Sequence, residues 1–233
     1  MNDILVGREK ECVAIAALMS KRKNIIIFGP EGIGKTVILN KVLSGLAAVN
    51  IFYSKESKTL KTSLLNLMVY ASFDKKSIQT ADTLTLKKIF YNLLDEKKPE
   101  YIVFDHAESV EPKFYSFFVC LMERKFPLIV LSHGLVKKDI GHLRMSLFDF
   151  EKVEVFDLDR PTANLLIDHF IKEFGVKVVK TDEFKQAIFS HSRGNPKIIK
   201  ALCFLARDVK YQKNDSINVK LIDLDRRISE AVY

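Results

Sequence analysis

The chain has 233 residues, 48% of them hydrophobic and 28% charged, a globular balance that excludes a disordered chain and allows one large core or a main domain with a smaller appendage. Its formal charge of +8 is spread along the sequence, with 23 basic against 18 acidic residues in 1–155 and 14 against 11 in 156–233, so neither part holds the excess and solvated lysine pairs at helix ends account for it as simply as a basic binding face does. Cys12, Cys120 and Cys203 lie far apart in apolar helical patterns, as expected of a reduced intracellular chain. The start, MNDILVGREKEC, has no basic stretch followed by an apolar one, and every apolar run is interrupted before the length of a membrane span. A soluble cytoplasmic protein without membrane contact is expected.

Residues 8–21 place Val13, Ala16, Ala17 and Met19 near helical spacing, and NIIIF at 24–28 is a short β-branched run ending in glycine. KTVILNKVLSGLAA, 35–48, reads as a helix with Val37, Ile38, Val42 and Leu46 on its apolar face. VNIFYS at 49–54 reads as a strand, and helical patterns follow at 59–72 and 83–96. YIVFD at 101–105 is another buried strand. The helix at 112–125 then carries Phe114, Phe117, Phe118, Leu121 and Met122 on one side, an aromatic stripe suited to a core. PLIVLSH at 127–133 is again apolar, and KVEVFDL at 152–158 alternates as an edge strand does. Strands alternating with helices of this length predict a parallel sheet covered on both faces. From Pro161 onward the pattern is helical, at 161–174, 182–192, 196–211 and about 218–231. An α/β domain over 1–158 followed by a small all-α domain over 159–233 is the expected organisation.

The strongest motif is GPEGIGKT, Gly29 to Thr36, which fits GxxxxGK[ST] and lies between a strand and a helix. Glycines at 29, 32 and 34 let the backbone turn, so that successive amides and the helix N-terminus surround a polyphosphate. The expected phosphate-binding run is Pro30, Glu31, Gly32, Ile33, Gly34, Lys35, Thr36 and Val37. Lys35 is expected to reach the terminal phosphates and Thr36 to hold Mg2+ through its hydroxyl. The order GxxGxG differs from the dinucleotide fingerprint GxGxxG. Asp105 closes an apolar strand and is the second expected Mg2+ group, emerging beside the loop at the carboxyl edge of the sheet. Ser132 ends the next strand. Its hydroxyl is placed to sense a γ-phosphate or orient water, or simply to end the strand.

VGREKE at 6–11, GPEGIGKT, FDHAE, LIVLSH and SRGNPKIIKAL at 192–202 stand in an order that resembles the AAA+ P-loop ATPases. The likeness is to the branch containing origin-recognition initiators, transposition helper ATPases and archaeal STAND-type signalling ATPases, and it covers nearly the whole chain. It implies a sheet of about five strands with a helical lid, and ATP or ADP with Mg2+ as cofactors. Adenine is implied to lie near Val6 and Arg8, within the stretch Ile4 to Arg8, and phosphates near Pro196 and Lys197. The family commonly has an arginine where Lys197 stands, and Lys197 keeps the charge without the fork. Arg144 lies at about the interval of an arginine finger.

In the resembling ATPases the acid that orients the attacking water follows the metal aspartate directly. Here that position is His106, and the nearest acid is Glu108. Three readings stand: Glu108 assists, His106 serves as a neutral base, or hydrolysis is very slow. The expected catalytic set is Lys35, Asp105, Glu108 and Ser132. The implied function is a nucleotide-dependent conformational switch with slow hydrolysis. The alternatives are a non-hydrolysing nucleotide-binding regulatory module and a DNA-associated helper or loader ATPase; a small-molecule kinase is more distant. Initiator relatives carry a winged-helix domain after the lid and no such segment follows here, so DNA contact is expected to be indirect. Another protein is an expected partner, and a homo-oligomer is compatible. No guanine-reading NKxD pattern is present, which favours adenine.

Overall fold

A computed structural model describes residues 4–46, 49–108, 110–213 and 216–232. Ala47 and Ala48, the end of the helix expected over 35–48, lie outside the described residues. The chain forms two compact units. One comprises Lys10–Pro30 and Lys35–Val155; the other takes the segment up to Glu9, Glu31–Gly34 and everything from Phe156 on.

In the first unit the order is α1 (Glu9–Ser20), β1 (Ile25–Phe28), α2 (Lys35–Gly45), β2 (Ile51–Ser54), α3 (Leu60–Tyr70), α4 (Lys75–Gln79) and α5 (Thr83–Lys97). It continues with β3 (Tyr101–Phe104), α6 (Pro112–Glu123), β4 (Leu128–Ser132), α7 (Lys137–Ile140) and β5 (Glu151–Glu154). The five strands form one sheet in the order β2-β3-β4-β1-β5, parallel at every pairing. Strands covered on both faces must be largely apolar, and β1, β3 and β4 are, with Ser132 at the end of β4 the one exception. The edge strand β5 buries only Val153 of its four residues, as its alternation predicts. Phe104 of β3 packs edge-on against Phe114 of α6, ring centroids 5.2 Å apart, and α6 buries Phe114, Phe117, Phe118 and Leu121 in the same core.

Two helix faces differ from the sequence reading. Helix α1 buries Ile15 and Met19, one turn apart, while Val13 is 68% exposed and Ala17 also faces out. The larger side chains at 15 and 19 decide the phase, because small alanines add little burial. Helix α2 buries Leu39 beside Ile38 and Val42, with Val37 only half-buried.

The second unit contains α8 (Arg160–Phe174), α9 (Thr181–Ser192), α10 (Pro196–Leu205) and α11 (Val219–Val232). Its core gathers Ile167, Phe170, Ile188, Ile199, Leu202 and Ile222, with Val6 packed against it. Helix α10 ends at Leu205, earlier than its apolar pattern suggests. Asp208 then caps a short 3-10 turn, Val209–Tyr211, by accepting from the Lys210 amide. An antiparallel pair of two-residue strands, β6 (Gln212–Lys213) and β7 (Ser216–Ile217), adds a hairpin to this otherwise helical unit.

Asp223 of α11 is 3% exposed and bonds His191, Arg226 and Arg227. Burial pushes its carboxyl up, but hydrogen bonds from Arg226, His191 and Arg227 outweigh that and hold it below the usual carboxylate range. A carboxyl with a depressed folded value stabilises the fold above its unfolded value, about 3.9, and loses that contribution as pH falls through the folded value. The urea midpoint is therefore expected to fall below about pH 4. Asp223→Asn is expected to be less stable at pH 7 and to show a shallower acid decline; parallel curves would contradict this assignment.

Candidate functional site

The register of the parallel ladder brings the chemistry to one edge. Phe28 pairs with Ser132 and Phe104 with Val130, so the glycine loop, Asp105 and Ser132 all leave the carboxyl ends of neighbouring strands. Ligands of open parallel sheets bind at such edges. Tyr53 of β2 reaches the same place, because β2 pairs with β3 and the Asp105 amide donates to Ser54 O at 2.9 Å.

Asp105 is 4% exposed, and a buried carboxylate demands partners. Thr36 Oγ1 donates to Oδ2 at 2.8 Å, Tyr53 OH donates to the same oxygen at 2.7 Å, and the His106 amide donates to Oδ1 at 2.9 Å. Burial, then the Asp105 charge, pushes the Tyr53 phenol far above its ordinary value, which keeps it a donor. Its ring stacks on Tyr70 at 5.9 Å. Thr36 and Asp105, the two metal groups expected from the sequence, meet here, whereas Tyr53 is not among the expected site residues. Its only signal is a tyrosine near the end of a strand adjacent to the aspartate strand.

The donor set suits Mg2+. A hydroxyl oxygen and a carboxylate oxygen, 2.8 Å apart, are the hard ligands that ion prefers, few in number and completed by water and phosphate. Lys35 Nζ donates to the carbonyls of Gly29 and Pro30, at 2.8 and 3.0 Å, so its ammonium lies against the base of the loop. Ser132 is fully buried and donates to Gly134 O at 2.9 Å. Glu108 faces two imidazoles, with Oε2 3.9 Å from His106 Nδ1 and Oε1 3.5 Å from His133 Nε2. His133 was not singled out from the sequence.

The tip of the loop has its own partners in the second unit. Asn195 Nδ2 donates to Glu31 O at 2.8 Å, while its Oδ1 caps α10 by accepting from the Lys197 and Ile198 amides. The Lys197 amide also donates to Gly32 O at 3.2 Å, and Lys197 Nζ pairs with Glu31 Oε1 at 2.7 Å. Pro196 occupies the first turn of α10, where a missing amide costs nothing. Gly32 has φ +75°, and a Cβ there would lie 2.5 Å from Lys197 Cβ, so closeness and backbone conformation both require glycine. The same holds for Gly194 of the GNP stretch, φ +85°, where a Cβ would meet Leu158 O at 2.1 Å. Ile33 is buried, and Gly34 has open space on its Cβ side. Arg8 Nη2 donates to Phe156 O at 2.7 Å, and Val6 packs on the helical core. Arg144 and Arg193 are exposed.

A parallel sheet in this order, a glycine loop opening α2, and a strand-ending aspartate bonded to the first turn of that helix together define a P-loop NTPase fold. Residues 18–133 match the family model described as AAA domain, which places this part of the chain among the AAA+ P-loop ATPases. Similar solved structures include a Walker-type ATPase of Pyrococcus abyssi, at 13% identity and TM-score 0.66, over 97% of this chain and 74% of that one. The ORC2 protein of Aeropyrum pernix in its ADP form is similar at 14% identity and TM-score 0.64, over 98% and 69%. The replication initiator DnaA bound to AMPPCP and single-stranded DNA follows at 18% identity and TM-score 0.56, over 97% and 66%. At these identities the likeness is one of fold. No curated protein matches the sequence. Among the described residues no helix is long and apolar enough to cross a membrane.

Tyr53→Phe keeps the ring and deletes one bond to Asp105. It is expected to lower unfolding stability by about 1–3 kcal/mol, read by urea titration; an unchanged midpoint would contradict a structural share for the phenol.

Proposed function

We propose that this AAA+ ATPase is a nucleotide-dependent switch that binds ATP and ADP with Mg2+ and hydrolyses ATP slowly. The observation that carries the reading is the bond from Thr36 to the buried Asp105, which joins the first turn of α2 to the end of β3. In this reading the amides of residues 31–37 hold the phosphates and Lys35 turns from the Gly29 and Pro30 carbonyls to a phosphate oxygen. Mg2+, held by Thr36 and Asp105, would supply charge neutralisation of the phosphates. Phosphoryl transfer then needs one group to orient water. After Asp105, Glu108 is the next acid along the chain, but its carboxylate faces His106 and His133, which favours slow turnover.

Switching is supported by the way the loop divides its contacts. Its ends belong to the α/β unit, and its tip bonds Asn195 and the Lys197 amide at the start of α10. A phosphate drawn to the amides of the tip would pull on the same peptide groups whose carbonyls accept these bonds, and a ligand shifts a conformational equilibrium by its differential affinity for the two states. The helical unit would then act as the nucleotide-sensing lid. Val6, Arg8, Pro196 and Lys197 are its proposed nucleotide contacts, and Ser132 is the proposed γ-phosphate sensor in the α/β unit. A protein partner would read the change.

A DNA-associated helper is the second reading. It is favoured by the +8 charge and by a fold shared with an initiator solved on single-stranded DNA; affinity falling steeply with salt would support it.

Turnover by the purified chain is expected below about 1 s⁻¹, at the low end of enzyme rates. Lys35→Ala is expected to lower turnover at least ~100-fold, and Glu108→Gln to lower it with nucleotide binding retained. ATP binding and turnover unchanged in Lys35→Ala would overturn the reading.

A further inference from the structure

A second cluster at the same sheet edge is chemically unlike the Mg2+ donors. His106 and Glu108 follow β3, and His133 follows β4 directly. One ligand atom from each side chain lies within 4.8 Å of the others. The two separations from Glu108, 3.5 and 3.9 Å, are longer than a good N–H···O hydrogen bond of about 2.7–3.2 Å. They are close to a different length. Four ligands placed tetrahedrally at about 2.0–2.1 Å from an ion are roughly 3.4 Å from one another, so slight side-chain rotations would bring these atoms to a common centre.

The scaffold behind the cluster is set. Val103 pairs with Ile129 and Phe104 with Val130 in the fully buried β3–β4 ladder, which fixes the two strand ends against each other. His106 has φ +50°, a left-handed conformation that histidine adopts more often than most residues. Its amide is tied to Asp105 Oδ1. The side chains of His106 and His133 are 54% and 36% exposed, that of Glu108 15%, so solvent reaches the imidazoles while the carboxylate is largely enclosed.

We propose that His106, Glu108 and His133 bind one late first-row transition ion, Zn2+ or a relative such as Co2+ or Ni2+, at a site distinct from the Mg2+ donors Thr36 and Asp105. Two imidazoles and a carboxylate suit these ions, whereas Mg2+ prefers oxygen ligands. Three protein ligands leave a position for water, the composition of an open site. Resting on the proposed function, a consequence follows: an ion that takes the Glu108 carboxylate withdraws the next acid after Asp105, so micromolar Zn2+ lowers ATP turnover.

The test is a Co2+ titration of the full chain in excess Mg2+ and without nucleotide, followed by visible absorption and calorimetry, then displacement by Zn2+. One equivalent is expected. His106→Ala and His133→Ala, both confirmed folded by circular dichroism, are each expected to weaken binding by at least about tenfold, the scale on which metal sites respond to lost support. Lys35→Ala is expected to bind Co2+ as the unaltered chain does, which separates failure of this site from failure of the nucleotide reading. X-ray absorption of the Co2+ complex is expected to show imidazole scattering and needs no variant. No Co2+ binding, binding undiminished in both histidine variants, loss of the ion in Lys35→Ala, or absence of imidazole scattering would each overturn the proposal.

Discussion

A carboxylate at the end of an interior strand is the constraint on which the site depends. Asp105 is almost fully enclosed, and leaving such a charge unpaired costs several kcal/mol. Its bonds to Thr36, Tyr53 and the His106 amide satisfy it and tie β2, β3 and α2 together at one point. The left-handed turn at His106 follows from the same demand, because the amide that bonds Oδ1 belongs to the next residue along. The strain of that turn is offset by the hydrogen bond it makes to a charge, among the stronger kinds in proteins.

The glycine loop is held differently at its base and its tip. At the base Lys35 bonds two loop carbonyls; at the tip Asn195 and the Lys197 amide bond the carbonyls of Glu31 and Gly32. These carbonyls take up the protein's own donors, whereas phosphate recognition by backbone works through amides. Asn195 does two jobs at once, capping α10 and holding the loop. That coupling gives a physical route by which phosphate occupancy would alter the first turn of a helix.

The parallel sheet was legible in the sequence because interior parallel strands, covered on both faces, must read as unbroken apolar runs, as NIIIF, YIVFD and PLIVLSH do. The loop was legible because its requirement is local: glycines at set offsets between a strand and a helix. What escaped depends on partners distant in the chain. Tyr53 bonds a residue 52 positions away, and His133 meets Glu108 only because β4 lies beside β3. The α1 face was misphased because alanines blur helical periodicity, and two-residue strands such as β6 and β7 are too short to show any. Lysine 35 resting on its own loop has no sequence signature at all.

The central claim, that Thr36 and Asp105 hold the magnesium of a bound nucleotide, is tested most directly by calorimetry of ADP binding with and without Mg2+ in the unaltered chain and in Asp105→Asn. Affinity that rises with Mg2+ in the unaltered chain, and no longer does so in Asp105→Asn, is the expected result. No measurable ADP binding under either condition, or a Mg2+ dependence that survives the substitution intact, would contradict it.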